Sequence, residues 1–175
     1  MTTLSPQGAK SPAPPINIAS MKPEELWALQ STARSAFAEG QTLSEKLGVS
    51  PDEIKARYGT VSALCDKGQF AQALPGALEL LLLAPTDWRS AFLVGTCLQR
   101  LNRPTEAVPF YSWVLAQTTS AVAQFRIGEC LWAAGETNAA RDAFLAVLNS
   151  TGKADPVHTL ALTAAKSLPA TAVPH

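Results

Sequence analysis

Five side chains of the sequence are thiols or imidazoles, which can bind metal ions or act as a catalytic nucleophile and its base. Three are cysteines, Cys65, Cys97 and Cys130, and no two of them have the CxxC spacing of a zinc site or a redox centre. The two histidines, His158 and His175, both lie near the C-terminal end, whereas a nucleophile needs a base held in fixed geometry. No glycine-rich phosphate loop is present. The sequence therefore predicts buried free thiols, no metal site, no cofactor and no enzyme activity.

Charge and hydropathy exclude two further classes of partner. The chain has 175 residues, and its 14 basic and 14 acidic side chains give a formal net charge of zero. Nucleic acids and anionic membranes require clustered positive charge, which this sequence lacks. The N-terminal residues do not have the pattern of a secretory signal, and polar residues interrupt the long uncharged stretch at 107–125. We therefore expect a cytoplasmic protein without direct nucleic-acid or membrane partners.

The elements that would position functional side chains are helices. Residues 1–20 are rich in proline, serine and threonine, which predicts a disordered arm. An amphipathic pattern predicts a helix at about 24–39, closed by Gly40. Ser50, followed by Pro51 and then by Glu53, has the pattern of a capping box and predicts a second helix through about residue 67.

Beyond this point the sequence repeats with a period near 34. The turn residues Gly68, Asn102 and Gly135 are separated by 34 and 33 positions, and an alanine follows each at a fixed offset. Four residues in the helical pattern before Asn102 recur 33 positions later, in the pattern before Gly135. This period, with a turn between two helical patterns, is that of the tetratricopeptide repeat. The matched residues are Ala73, Ala107 and Ala140, Phe92 and Phe125, Gly95 and Gly128, Cys97 and Cys130, and Leu98 and Leu131.

We therefore predict an all-α fold of three tandem tetratricopeptide helix-turn-helix repeats, with an N-terminal helix and a C-terminal capping helix at about 155–168. The domain spans 21–168, its repeats lie at about 54–87, 88–120 and 121–153, and a tail follows at 169–175. Small residues at repeated positions predict close helix contacts, and Leu64, Leu98 and Leu131 are expected to fill the space between helices. Pro75 and Pro109 are expected near the start of the second helices, where backbone amides lack an intrahelical partner.

Two stretches of the sequence resemble a known family. GQTL at 40–43, then GVSPD at 48–52 and Tyr58, are similar to the entry segment of the class II tetratricopeptide chaperones of bacterial type III secretion systems. FRIGECLWAAGETNAARDAF at 125–144 is similar to the third repeat of that family. The resemblance covers about 24–150. It implies a cytoplasmic chaperone that binds secreted, hydrophobic translocator proteins in a concave groove.

The first helix of each repeat is expected to face that groove, with residues three or four apart on one face. Aromatic anchors with polar groups between them suit an extended peptide. Two alternatives remain open: Phe92 and Phe125 pack between repeats, and Glu129 is solvated or pairs with Arg126. The predicted client contacts are Tyr58, Ser62, Cys65, Phe92, Thr96, Gln99, Phe125, Glu129 and Trp132.

The N-terminal helix has more apolar side chains than a cap requires, namely Leu26, Trp27, Leu29 and Phe37. The resemblance implies that this region forms a homodimer; the alternative is that the helix folds onto the first repeat. Other functions also remain open. They are a chaperone of another secretion substrate such as a needle subunit, a scaffold for a folded partner, and a regulator that binds a transcriptional activator.

Overall fold

The computed structural model describes residues 14–169, apart from the side chain of Ala19. The predicted arm over 1–13 and the tail over 170–175 lie outside the described residues. Within the described range the regular structure is helical, as predicted, and consists of one short 3₁₀ helix, Ile18–Ser20, and nine α-helices. These are α1 Pro23–Ala38, α2 Leu43–Leu47, α3 Pro51–Asp66, α4 Phe70–Leu83, α5 Trp88–Arg100, α6 Pro104–Thr118, α7 Ala121–Ala133, α8 Thr137–Ser150 and α9 Pro156–Ser167.

Three helix pairs, α3–α4, α5–α6 and α7–α8, stack in chain order, and α9 packs against α8 at the end of the array. The turn inside each pair contains a residue with positive φ: Gly68 at 73°, Asn102 at 59° and Gly135 at 85°. Glycine and asparagine tolerate this left-handed conformation better than other residues, and it lets a helix end sharply. The predicted repeat turns are thus confirmed at all three positions.

Small residues allow the two helices of a repeat to approach closely. A Cβ atom on Gly95 would lie 2.9 Å from Cε1 of Tyr111, and one on Gly128 would lie 2.5 Å from Cε1 of Phe144. The repeated alanines Ala73, Ala107 and Ala140 are fully buried. Of the three leucines expected in the core, Leu98 is buried, whereas Leu64 and Leu131 are only partly so.

The two repeated prolines lie deeper in their helices than the sequence predicts. Pro75 is inside α4 and Pro109 is inside α6, both beyond the first turn. A proline there removes the hydrogen bond to the carbonyl four residues earlier, which is Ala71 or Thr105. The prediction of a position among the free N-terminal amides is therefore wrong. Burial of the apolar faces of α4 and α6 in the array outweighs one lost hydrogen bond in each helix.

Capping boxes determine where α2 and α3 begin. At α3 the Ser50 N–H donates to Oε2 of Glu53 over 2.8 Å and the Ser50 hydroxyl accepts from the Glu53 N–H, which confirms the predicted start. The short helix α2 is absent from the sequence prediction, although Thr42 and Glu45 form the same reciprocal pair. The T-x-x-E spacing is a signal that could have revealed it.

Residues 14–20 are packed against the first repeat, which differs from the disordered arm predicted for 1–20. The backbone N–H of Ile16 donates to Oε1 of Glu79 on α4 over 2.8 Å. Glu79 is buried and also forms an ion pair with Arg57 on α3. A buried carboxylate needs hydrogen-bond donors, and the arm supplies one of them. The described helices include none that is both long and apolar enough to cross a lipid bilayer.

Candidate functional site

The first helices of the three repeats, α3, α5 and α7, together border a cavity of about 230 Å³. We call it the central cavity. Three of the predicted client contacts, Cys65, Thr96 and Gln99, meet in its wall. Four further wall residues are absent from the predicted set: Asp66, Phe70, Arg100 and Arg126. The guanidinium of Arg100 lies over the ring of Phe70, 5.3 Å from its centroid, which orients both side chains.

A chain of hydrogen bonds links α5, α6 and α7 beside the central cavity. The Tyr111 hydroxyl donates to Oε1 of Gln99 over 2.9 Å, and Nε2 of Gln99 donates to Oε2 of Glu129 over 3.1 Å. Nη1 of Arg126 donates to the same Glu129 oxygen over 2.8 Å. Glu129 therefore pairs with Arg126, which is one of the two alternatives left open by the sequence. Burial raises the pKa of Tyr111 to about 12, so its hydroxyl remains a donor at neutral pH.

This network holds polar groups in fixed positions while leaving them accessible. Gln99, Arg126 and Glu129 are each only partly buried. An extended peptide segment carries one N–H donor and one C=O acceptor per residue, apart from proline. Amide, guanidinium and carboxylate groups of this kind can hydrogen-bond to such a backbone without first being ordered, because their rotamers are already fixed.

A second cavity of about 300 Å³ lies between the start of α3 and the start of α5. We call it the Tyr58 cavity; it is lined by Pro51, Ile54, Lys55, Tyr58, Leu80, Asp87, Arg89 and Ser90. Arg89 lies over the Tyr58 ring, 5.6 Å from its centroid, and it forms an ion pair with Asp87. The hydrogen bond from Arg89 holds the pKa of Asp87 below its ordinary range. An apolar wall with a charged rim suits an apolar side chain on a polar backbone.

The other predicted aromatic contacts differ in exposure. Trp132, at the end of α7, is 40% exposed, and Phe92 is partly buried with its ring edge-to-face on Tyr111 at 5.3 Å. Phe125 is only 8% exposed and packs against Phe144, with 5.6 Å between ring centroids. The expectation that Phe125 is an exposed groove anchor is therefore wrong, because the ring fills the space between α7 and α8. Ser62 is partly buried, on the same face of α3 as Tyr58.

The three thiols are free, and two of them are core residues as predicted. Cys97 and Cys130 are fully buried, and burial raises the pKa of Cys97 to about 12 and that of Cys130 to about 11. Cys65 is only partly buried, and its Sγ atom lies 3.7 Å from Sγ of Cys97. Residues 14–169 contain no group of three or more His, Cys, Asp or Glu side chains arranged to hold a metal ion.

The N-terminal helix α1 packs chiefly against α2. Trp27 is 74% exposed and Phe37 is 88% exposed, while Leu26 is also exposed and Leu29 is partly buried. The alternative in which α1 covers its apolar side chains with the first repeat does not account for Trp27 and Phe37. Among residues 14–169 no segment covers these two rings, so they form an exposed apolar surface of the described chain.

No protein-family model and no curated protein sequence matches the chain. Solved structures do resemble it. A type III secretion complex from Aeromonas hydrophila matches with a TM-score of 0.68 and 20% identity, over 76% of this chain and 91% of that chain. The translocator chaperone SycD of Yersinia enterocolitica matches with a TM-score of 0.64 and 18% identity, over 73% of this chain and 98% of that chain.

PcrH in complex with the chaperone binding region of PopB matches with a TM-score of 0.61 and 20% identity, over 67% of this chain and 98% of that chain. A further similar structure is SycD in complex with a peptide of the translocator YopD. The three tandem helix pairs of this chain therefore have the helical-repeat fold of these solved structures.

Proposed function

We propose that the protein is a cytoplasmic chaperone that binds and sequesters hydrophobic translocator proteins of a bacterial type III secretion system. The observation that carries the proposal is the central cavity, which spans the first helices of all three repeats. It lies on a fold shared with SycD and PcrH, and both of those proteins have been solved in complexes with translocator segments. The proposal assigns the protein no catalytic activity.

The groove would hold the client as an extended segment that runs past both cavities. The Tyr58 cavity would take an apolar client side chain, and burial of one such side chain contributes roughly 1.5–3 kcal/mol. The network of Gln99, Arg126 and Glu129 would meet the client backbone. A few buried anchors of this size would dominate the affinity, with the polar contacts fixing the register.

Sequestration follows from the chemistry of such a client. A protein with membrane-inserting segments exposes apolar surface that aggregates, or inserts into the wrong membrane, before secretion. A partner that binds the unfolded, secretion-competent form stabilises that form by mass action.

We also propose that α1 forms a homodimer interface through Leu26, Trp27, Leu29 and Phe37. The support is the exposure of Trp27 and Phe37, which a second copy would cover. Sedimentation of Trp27→Glu would test this interface. We expect the variant to sediment as a monomer, while the matched change Leu160→Glu on α9 leaves the dimer intact. A Trp27→Glu variant that remains dimeric would exclude α1 as the interface.

The experiment that tests the function is affinity purification of the tagged protein from its native host under secretion-inducing conditions. Mass spectrometry should identify a co-purifying protein with hydrophobic, membrane-inserting stretches. The variants Tyr58→Ala and Trp132→Ala should recover less of it, whereas Leu160→Ala, an exposed apolar residue outside the repeats, should recover the same amount. Recovery of only folded soluble partners, or of a short needle subunit, would overturn the client class.

A further inference from the structure

Two sulfur atoms from neighbouring repeats lie in contact: that of Cys65, which lines the central cavity, and that of Cys97, which is buried behind it. Sγ of Cys65 on α3 is 3.7 Å from Sγ of Cys97 on α5. The bond length of a disulfide is about 2.05 Å, so the two atoms need to approach by roughly 1.7 Å. We propose that Cys65 and Cys97 form an oxidative modification site, which a hydroperoxide converts into an intramolecular disulfide between the first and second repeats.

Access to solvent distinguishes the three thiols. Cys65 is partly buried and lines the central cavity, whose volume of about 230 Å³ admits a molecule the size of hydrogen peroxide. Cys97 and Cys130 are both fully buried. Cys97 differs from Cys130 in its contact with the accessible sulfur of Cys65. The oxidant therefore reacts first at Cys65, and Cys97 is the thiol close enough to attack the oxidised Cys65 sulfur.

The reaction has two balanced steps. The Cys65 sulfur attacks one peroxide oxygen, the O–O bond breaks, and the products are a Cys65 sulfenic acid and one water. The Cys97 sulfur then attacks the Cys65 sulfur, the S–S bond forms and the S–O bond breaks, and the hydroxyl leaves as water with the Cys97 thiol proton. Two thiols are oxidised, and one hydrogen peroxide is reduced to two waters. Burial raises the pKa of Cys97, so this thiol attacks in its protonated form and its proton passes to the leaving hydroxyl; the low thiolate fraction makes this second step slow.

The bond would join α3 to α5 covalently and withdraw the Cys65 sulfur from the cavity wall. A cross-link between positions 65 and 97 lowers the conformational entropy of the unfolded chain. The oxidised form should therefore melt on the order of 5–10 °C higher than the reduced form. This inference concerns the chain alone and stands independently of the proposed client.

The sequence allows a direct test, because trypsin leaves each cysteine in its own peptide: 58–67 for Cys65, 90–100 for Cys97 and 127–141 for Cys130. The folded full-length protein is treated with hydrogen peroxide, denatured, alkylated and digested without reduction. We expect a linked pair of peptides 58–67 and 90–100 that separates on reduction, with peptide 127–141 alkylated. The oxidised chain should run as a monomer on a non-reducing gel.

Cys65→Ser is the matched control, because it removes the solvent-accessible sulfur and leaves both buried thiols. In this variant Cys97 should remain alkylatable after the same treatment. Four results would each overturn the proposal: retention of all three thiols, a Cys65 sulfinic acid beside a free Cys97 thiol, a link from Cys65 to Cys130, or a link that appears only in covalent dimers.

Discussion

Replacement of Gly128 by alanine adds a methyl group where α7 packs on the Phe144 ring of α8. The new Cβ would lie 2.5 Å from Cε1 and 2.7 Å from Cδ1 of Phe144, a ring that is fully buried. Overpacking of this kind costs about 1–3 kcal/mol, and alanine returns about 1 kcal/mol through its better helix propensity. Since the contacts are so short, we expect a net loss of about 1–2 kcal/mol in the free energy of unfolding.

Gly59→Ala is the matched control, since Gly59 is also inside a first helix. A Cβ there meets nothing within 4 Å, so only the propensity gain remains. We expect Gly59→Ala to stabilise the protein by up to about 1 kcal/mol. For a domain of this size, the two variants should differ in melting temperature by roughly 4–10 °C.

Urea denaturation followed by circular dichroism measures both variants, and Phe144→Leu supplies the second edge of a double-mutant cycle. The smaller side chain should relieve the clash, so that Gly128→Ala costs less in the Phe144→Leu background by about 1 kcal/mol. If Gly128→Ala is as stable as Gly59→Ala, or if the cycle shows no coupling, close packing of α7 on α8 does not explain the repeated glycine.

The other predictions concern charged and hydrogen-bonded groups. Arg57→Ala leaves the buried Glu79 carboxylate without its ion-pair partner and should cost about 3 kcal/mol or more in urea denaturation, whereas replacement of both residues by leucine should cost much less. Asp87→Ala removes the N-cap of α5 and should cost about 1 kcal/mol at neutral pH. Because the hydrogen bond from Arg89 lowers the pKa of Asp87 below its ordinary value, the stability difference between this variant and the unchanged chain should vanish as the pH falls through the folded-state pKa. A stability difference that grows on acidification would contradict the assignment. Tyr111→Phe should lower the melting temperature, because Oε1 of Gln99 loses the hydroxyl that donates a hydrogen bond to it. An unchanged melting temperature would show that the network adds no stability.

Local signals made much of the fold predictable. The Ser50 capping box and the turns at Gly68, Asn102 and Gly135 depend on a few neighbouring residues, so their spacing is visible in the sequence. The position of Pro75 inside α4 was not predictable by the same means, because tertiary packing overrides its local cost.

The site was predictable only in part. Helical spacing gives the face on which a residue lies, which is why Cys65, Thr96 and Gln99 were found together. It does not give depth, and so Phe125 was expected on the surface but lies in the core. The Arg57–Glu79 ion pair and its contact with Ile16 depend on the packing of distant segments, and no spacing indicates them.

We propose that the groove of the folded chain binds a translocator segment. Isothermal titration calorimetry measures this binding most directly. The full-length protein is titrated with the translocator segment that affinity purification recovers. Loss of one apolar anchor should weaken binding about 10- to 100-fold, so Tyr58→Ala should bind that much more weakly than the unchanged chain. Leu160→Ala on α9 should bind as the unchanged chain does. Equal affinities for all three proteins would contradict the assignment of the groove.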